Sequence, residues 1–125
     1  MSDKKGKILI VEDDAMIVDM YRVQLADEGF EVLSTDKGSE AMALAKKESP
    51  DLILLDIILP EVDGFSILEE LKADIKTKNI PVVLLTNLGQ ESDVAKGQDL
   101  GAADYLVKAQ HTPAEIVRKI EALIK

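Results

Sequence analysis

Five short apolar runs, each followed by a stretch of helical periodicity, constrain this chain more than any other feature. The runs are Lys7–Val11, Glu31–Thr35, Leu52–Leu55, Val82–Thr86 and Asp104–Lys108. Short apolar runs bounded by turn residues suit strands covered on both faces. The patterns between them predict helices over Ala15–Glu28, Ser39–Glu48, Gly64–Ile75 and Glu91–Leu100, and a last one from Thr112-Pro113 onward. Strand and helix alternating five times predict an α/β fold, a doubly wound parallel sheet with helices on both faces.

The helix ends carry their own signals. Asp14 can cap the first helix, and Gly29 sits where a C-terminus favours glycine. Thr112 as N-cap with Pro113 behind it starts the last helix. The expected inward faces are Ile17, Met20, Tyr21 and Leu25 in the first helix, and Ala41, Leu44 and Ala45 in the second. In the third they are Phe65, Leu68, Leu71 and Ile75, and in the last Ile116, Ile120, Leu123 and Ile124. Met16 and Met42 read as core filler alongside Met20. The fourth helix is weaker: its apolar face is only Val94, Ala95 and Leu100, and Gly97 costs about 1 kcal/mol against alanine.

The 125 residues fit one domain, 1–125 with its core over about 7–124, and leave no length for an output domain. No apolar run reaches the roughly 18 residues of a membrane span, and no signal peptide opens the chain, so a cytoplasmic setting is expected. The absence of cysteine excludes disulfides, thiolate zinc sites and cysteine nucleophiles. A net charge of −9 with no basic block argues against direct binding to nucleic acid.

Chemistry gathers at the strand ends. The first strand ends at Glu12-Asp13, the third at Asp56, the fourth at Thr86 and the fifth at Lys108. Ligands of open α/β sheets bind outside the carboxyl ends of the strands, where strand order reverses. Carboxylates about 4 Å apart repel by roughly 4 kcal/mol per pair at an effective dielectric of 20. A proton, a cation or both must relieve them. Oxygen ligands alone select a hard divalent ion, Mg²⁺ or in its place Mn²⁺. Metal, lysine and hydroxyl together can hold the three oxygens of a phosphoryl group, with Asp56 placed as nucleophile.

Plainer readings stand beside these. Asp56 alone would pass for a strand-end cap, Thr86 for β-branched packing, Lys108 for a solvated lysine and Tyr105 for a half-buried aromatic. Asp14 reads as a cap before it reads as a ligand, and Asp36, Asp63 and Asp74 as turn or surface acids. His111, the one histidine, reads as solvent-facing.

The motifs IVEDD, LLDIILPEVDG, VVLLTN and GAADYLVK, in this order and spacing, are highly specific together. Through them essentially the whole chain resembles the receiver domain of two-component response regulators, and is similar to the stand-alone chemotaxis type. The resemblance implies a flavodoxin-like sheet of order 2-1-3-4-5. It implies that Asp56 accepts a phosphoryl group from a sensor histidine kinase or phosphotransfer protein. By the same resemblance Asp13 touches Mg²⁺ directly, Glu12 does so through water, and the Ile58 backbone carbonyl is a further ligand. Thr86 and Lys108 would bind the phosphoryl group, and Tyr105 would be the switch aromatic. Catalysis would be confined to the protein's own phosphorylation and dephosphorylation. The fourth-helix, fifth-strand and fifth-helix face would be read by a protein target, or by a second copy through Lys96, Asp104, Glu115 and Lys119. Two alternatives stay open: a receiver-like scaffold that is never phosphorylated, and the receiver fragment of a longer DNA-binding regulator. A small-molecule phosphatase would need a second acid/base, and a flavin site would need a phosphate loop after the first strand; neither is evident.

The chain also departs from the pattern. Ala109 follows Lys108 where proline is usual, so a trans bond is expected there, with some displacement of the ammonium. Asn87 stands where a small residue is usual and would partly screen the pocket. Ile58 and Leu88, both apolar, would shield an acyl phosphate from water and slow its loss.

Overall fold

A computed structural model of the chain describes residues 5–87 and 91–124. The strands are β1 (Gly6–Val11), β2 (Phe30–Thr35), β3 (Leu52–Leu55), β4 (Val82–Thr86) and β5 (Asp104–Val107). The helices are α1 (Ala15–Asp27), α2 (Gly38–Glu48), α3 (Gly64–Ala73), α4 (Glu91–Asp99) and α5 (Pro113–Ile124), with a short 3₁₀ turn over Lys108–Gln110. All strand pairs are parallel, in the order β2-β1-β3-β4-β5. The order reverses between β1 and β3, so the residues that follow those two strands share one rim.

Alternation along each strand divides the core into two layers. Ile8, Ile10, Leu52, Leu54, Val83 and Leu85 pack with Val18, Tyr21 and Leu25 of α1 and Ile116, Val117 and Ile120 of α5. Leu9, Val11, Ile53, Leu55 and Leu84 pack with Ala41 and Ala45 of α2 and Phe65, Ile67, Leu68 and Leu71 of α3. Each buried leucine or isoleucine contributes about 1.5–3 kcal/mol over its exposed state.

Several expected inward positions prove to be outward. Met20 is 42% exposed and Met16 82%, because the buried stripe of α1 runs Val18–Tyr21–Leu25, spaced i, i+3, i+7. Ile75 is 79% exposed, since α3 ends at Ala73, and Ile67 is buried in its layer instead. The turn that expels Ile75 is braced on all sides. Asp74 Oδ1 accepts from Lys76 N, Thr77 Oγ1 donates to Leu71 O, and Lys72 Nζ donates to the carbonyls of Lys78 and Ile80. In α5, Val117 takes the buried place expected of Leu123, and Ile124 is half-buried. Leu44 is half-buried, and Ala95 is exposed.

The caps form as read. Asp14 accepts from Met16 N and Ile17 N. Thr112 and Glu115 make a reciprocal capping box: Thr112 N donates to Glu115 Oε1 and Glu115 N to Thr112 Oγ1. Asp63 caps α3 through Phe65 N.

Candidate functional site

The rim above β1 and β3 is built by continuing the sheet one residue past each strand. Glu12 N donates to Thr35 O and Asp56 N to Val11 O, so both acids are held in register by backbone bonds. Gly64 completes the support. A methyl on it would stand 2.4 Å from Ile57 Cα and 2.6 Å from Asp56 O, so only a bare glycine lets α3 begin against the Asp56 backbone. The loop between them closes through the Ile58–Asp63 bridge and the bond from Gly64 N to Ile57 O.

Glu12 and Asp56 are only 4% and 6% exposed, whereas Asp13 lies open at the rim. One oxygen from each of the three lies within 4.8 Å of the others. Lys108 spans the two buried acids, its Nζ 2.5 Å from Glu12 Oε1 and 3.0 Å from Asp56 Oδ2. The remaining oxygens are engaged as well. Glu12 Oε2 accepts from Asp14 N and Asp56 Oδ1 from Ile58 N. Thr86, fully buried at the end of β4, lines the same cleft with Ile58 and Asn87.

Burial sets the charge state. It pushes the Glu12 carboxyl up to about 7, with the Asp56 charge adding and the bonds from Lys108 and Asp14 N opposing. Burial alone would lower the Lys108 ammonium, yet its bonds to Glu12 and Asp56 outweigh that and hold it above its ordinary value. A site with three convergent carboxylates and one cation still carries excess negative charge. Its donors are all hard oxygens, which fit a small divalent cation.

Thus Glu12, Asp13, Asp56, Thr86, Lys108 and Ile58 meet at one cleft. Tyr105 lies beside it, half-buried, its hydroxyl pushed up by burial first and then by Asp93 and Asp56. The Lys108–Ala109 peptide is trans, no cis bond occurring among the described residues. The 3₁₀ turn keeps Lys108 at the rim, and its long stem reaches both acids. Asn87 is exposed at the cleft, and Leu88 lies outside the described residues. His111 is half-buried rather than solvent-facing. Of the residues assigned to a dimer face, Lys119 is exposed and Lys96 sits 4.6 Å over the Phe65 ring. Asp104 accepts from Tyr105 N, and Glu115 is engaged in its cap. Sequence reading missed the structural parts of the site: the Asp14 N–H on Glu12 and the contact that requires Gly64. Asp63 was visible only as a turn or surface acid, and Gly64 only as the first residue of the third helix.

A five-stranded parallel sheet of this order, with three acids, a hydroxyl and a lysine on one rim, is a doubly wound α/β domain of flavodoxin-like topology. Residues 8–121 match the family model of the response regulator receiver domain, and the chain belongs to that family. It is 41% identical over 119 residues to the DNA-binding dual master transcriptional regulator RpaA of Synechocystis sp., covering 95% of this chain and 49% of the relative. It is 37% identical over 119 residues to the regulatory protein VanRc of Enterococcus gallinarum, covering 95% and 50%. The chain therefore spans about half the length of these relatives. Among solved structures, the BeF3-activated N-terminal receiver domain of Klebsiella pneumoniae RstA matches with a TM-score of 0.87 at 30% identity, over 95% of this chain and 98% of that one. The Mn²⁺-bound response regulator Rcp1 matches with a TM-score of 0.82 at 33% identity, over 94% and 92%. Among the described residues no helix is long and apolar enough to cross a membrane.

Proposed function

We propose that this receiver accepts a phosphoryl group on Asp56 from the phosphohistidine of a sensor kinase or phosphotransfer protein, and passes the signal on by changing shape. The observation that supports this is the Asp56 carboxylate itself, buried at a strand end, with two further carboxylates and a lysine converging on it. A carboxylate there is costly unless it is used. In the transfer, an Asp56 oxygen forms a bond to phosphorus as the phosphorus–nitrogen bond breaks. The imidazole leaves with the electron pair and later takes a proton from solvent.

Glu12, Asp13 and Asp56, with the Ile58 carbonyl, would hold Mg²⁺ (or Mn²⁺), which supplies neutralising charge opposite the incoming phosphoryl oxygens. Lys108 pairs with the phosphoryl group and Thr86 donates to it. Movement of Thr86 opens room for Tyr105, and the α4–β5–α5 face changes with it. If the active shape is about 1% populated beforehand, near-complete switching needs roughly 5.5 kcal/mol of bias. The protein acts on no substrate beyond its own acyl phosphate, in a cytoplasmic phosphorelay.

Incubation with a small acyl phosphate and Mg²⁺, read by intact mass, tests the reading. One phosphoryl adduct forms on the wild type and none on Asp56→Asn. An unmodified wild type would leave the scaffold reading instead. The length of the relatives favours a second reading of the output, in which the receiver controls an attached DNA-binding half. The length of the encoding gene decides between that and a separate protein target. Pairing of two copies through Lys96, Asp104, Glu115 and Lys119 would appear as dimerisation on phosphorylation.

A further inference from the structure

Among its described residues, helix α4 meets the sheet without a fully buried side chain. A surface helix normally docks through a stripe of large apolar residues. Here Val94 is only half-buried and Ala95 is exposed, and Gly97 is the one buried residue among those of α4 whose side chains are described. Glycine weakens a helix wherever no contact requires it.

Two neighbouring side chains crowd this position. A methyl on Gly97 would stand 2.8 Å from Leu84 Cδ1, 3.1 Å from Tyr105 Cδ2 and 3.6 Å from Tyr105 Cε2. Leu84 is fully buried in β4, so the floor below Gly97 consists of that leucine and the edge of the Tyr105 ring. One turn earlier on the same helix, Asp93 acts electrostatically on the Tyr105 hydroxyl. The neighbouring Lys96 lies over the ring of Phe65, which α3 buries in its core layer. The helix therefore rests against two rings, one fixed in the core and one half-buried at the edge strand.

We propose that Gly97 is a positioning residue for Tyr105: the bare α4 backbone at this point is the seat of the tyrosine ring, so that ring and helix move as one unit. When the ring leaves its seat, the middle of α4 loses its floor while Lys96 stays over Phe65, and the helix pivots on its α3 side. A receiver built this way needs no separate linkage between the aromatic and the partner-facing helix. That consequence rests on Tyr105 answering to Asp56; the seat itself does not, and its test needs no phosphodonor.

The experiment compares Gly97→Ala with wild type in the unphosphorylated protein, alone and combined with Tyr105→Ala. At an unconstrained helix position alanine raises the folding equilibrium constant about five-fold over glycine. The seat predicts the opposite sign: Gly97→Ala lowers that constant, and the ring ¹³C and ¹H resonances of Tyr105 shift. Those of Tyr21, buried in the other core layer, stay in place as an internal reference. In the Tyr105→Ala background the same methyl recovers the gain, and should Gly97→Ala alone fail to fold, restored folding of the double variant reports the same coupling. A stabilising Gly97→Ala with an unmoved Tyr105 signal overturns the proposal. So does an equal loss in both backgrounds, which would assign the constraint to Leu84 alone.

Discussion

Replacing Lys108 by methionine tests how the acid site is balanced. Its ammonium lies 2.5 Å from Glu12 and 3.0 Å from Asp56, with side chains 14%, 4% and 7% exposed. At an effective dielectric of about 20, each contact is worth roughly 5–7 kcal/mol before desolvation. Breaking a buried pair of this kind typically costs about 3–5 kcal/mol net. Methionine keeps most of the stem's packing, so the loss reports charge. Glu12 limits it. Its carboxyl is already raised from 4.5 to about 7, and without the ammonium it rises further. A carboxyl raised in the folded state binds more protons there than in the unfolded chain. Stability then falls as pH rises, by up to about 1.4 kcal/mol per unit, until the folded pKa is passed. In the wild type that fall ends near pH 7; in Lys108→Met it continues. The difference between the two proteins should therefore widen by up to about 2 kcal/mol between about pH 7 and 8.5. Urea titrations at about pH 6, 7 and 8.5 in a metal chelator, with the m-value held common, measure it. A difference that is the same at all three values would refute the coupling. One below about 1 kcal/mol throughout would mean the pair behaves as a solvated surface contact.

Gly64→Ala should cost about 3 kcal/mol or more in urea unfolding, because the clashing atoms are backbone; a loss below about 1 kcal/mol would show that the loop after Asp56 yields easily. Mg²⁺ should raise the melting temperature of the wild type by mass action and leave Asp13→Asn unmoved, whereas an equal shift in both would place the ion elsewhere. Asp74 is held below its ordinary value by Lys76 N and then Lys46, and Glu115 by Thr112 N and then the Thr112 hydroxyl. Their stabilisation is present above the normal carboxylate range and lost as pH falls below it, so Asp74→Asn and Glu115→Gln should each flatten the acid limb of a stability–pH curve. Ile58, 55% exposed at the cleft mouth, should slow loss of the acyl phosphate; Ile58→Asn should shorten its lifetime, and an unchanged lifetime removes the shielding argument.

The fold and the meeting of Glu12, Asp13, Asp56, Thr86 and Lys108 were legible because strand ends are marked by turn residues, and a parallel sheet then brings all of those ends to one rim. The caps at Asp14 and Thr112 were legible because they are local. Burial at single positions was not. Periodicity places a stripe on a helix only to within about a residue, so Met20 and Ile75 were assigned inward where Val18 and Ile67 pack. The glycines were misjudged: Gly97 looked like a defect, and Gly64 like an ordinary first residue of a helix, because the neighbours that crowd them come from other strands or from backbone. The Glu12–Lys108 pair, 96 residues apart, left no mark that one side chain alone reveals.

Asp56 follows β3, which has a hydrogen-bonded neighbour on each side, while Tyr105 belongs to β5, which has only one. The acid site thus follows the central strand of the sheet, and Tyr105 stands on one of its two edges. Such an arrangement lets the outer margin be remodelled for new listeners, by drift or by design, with the reactive centre untouched.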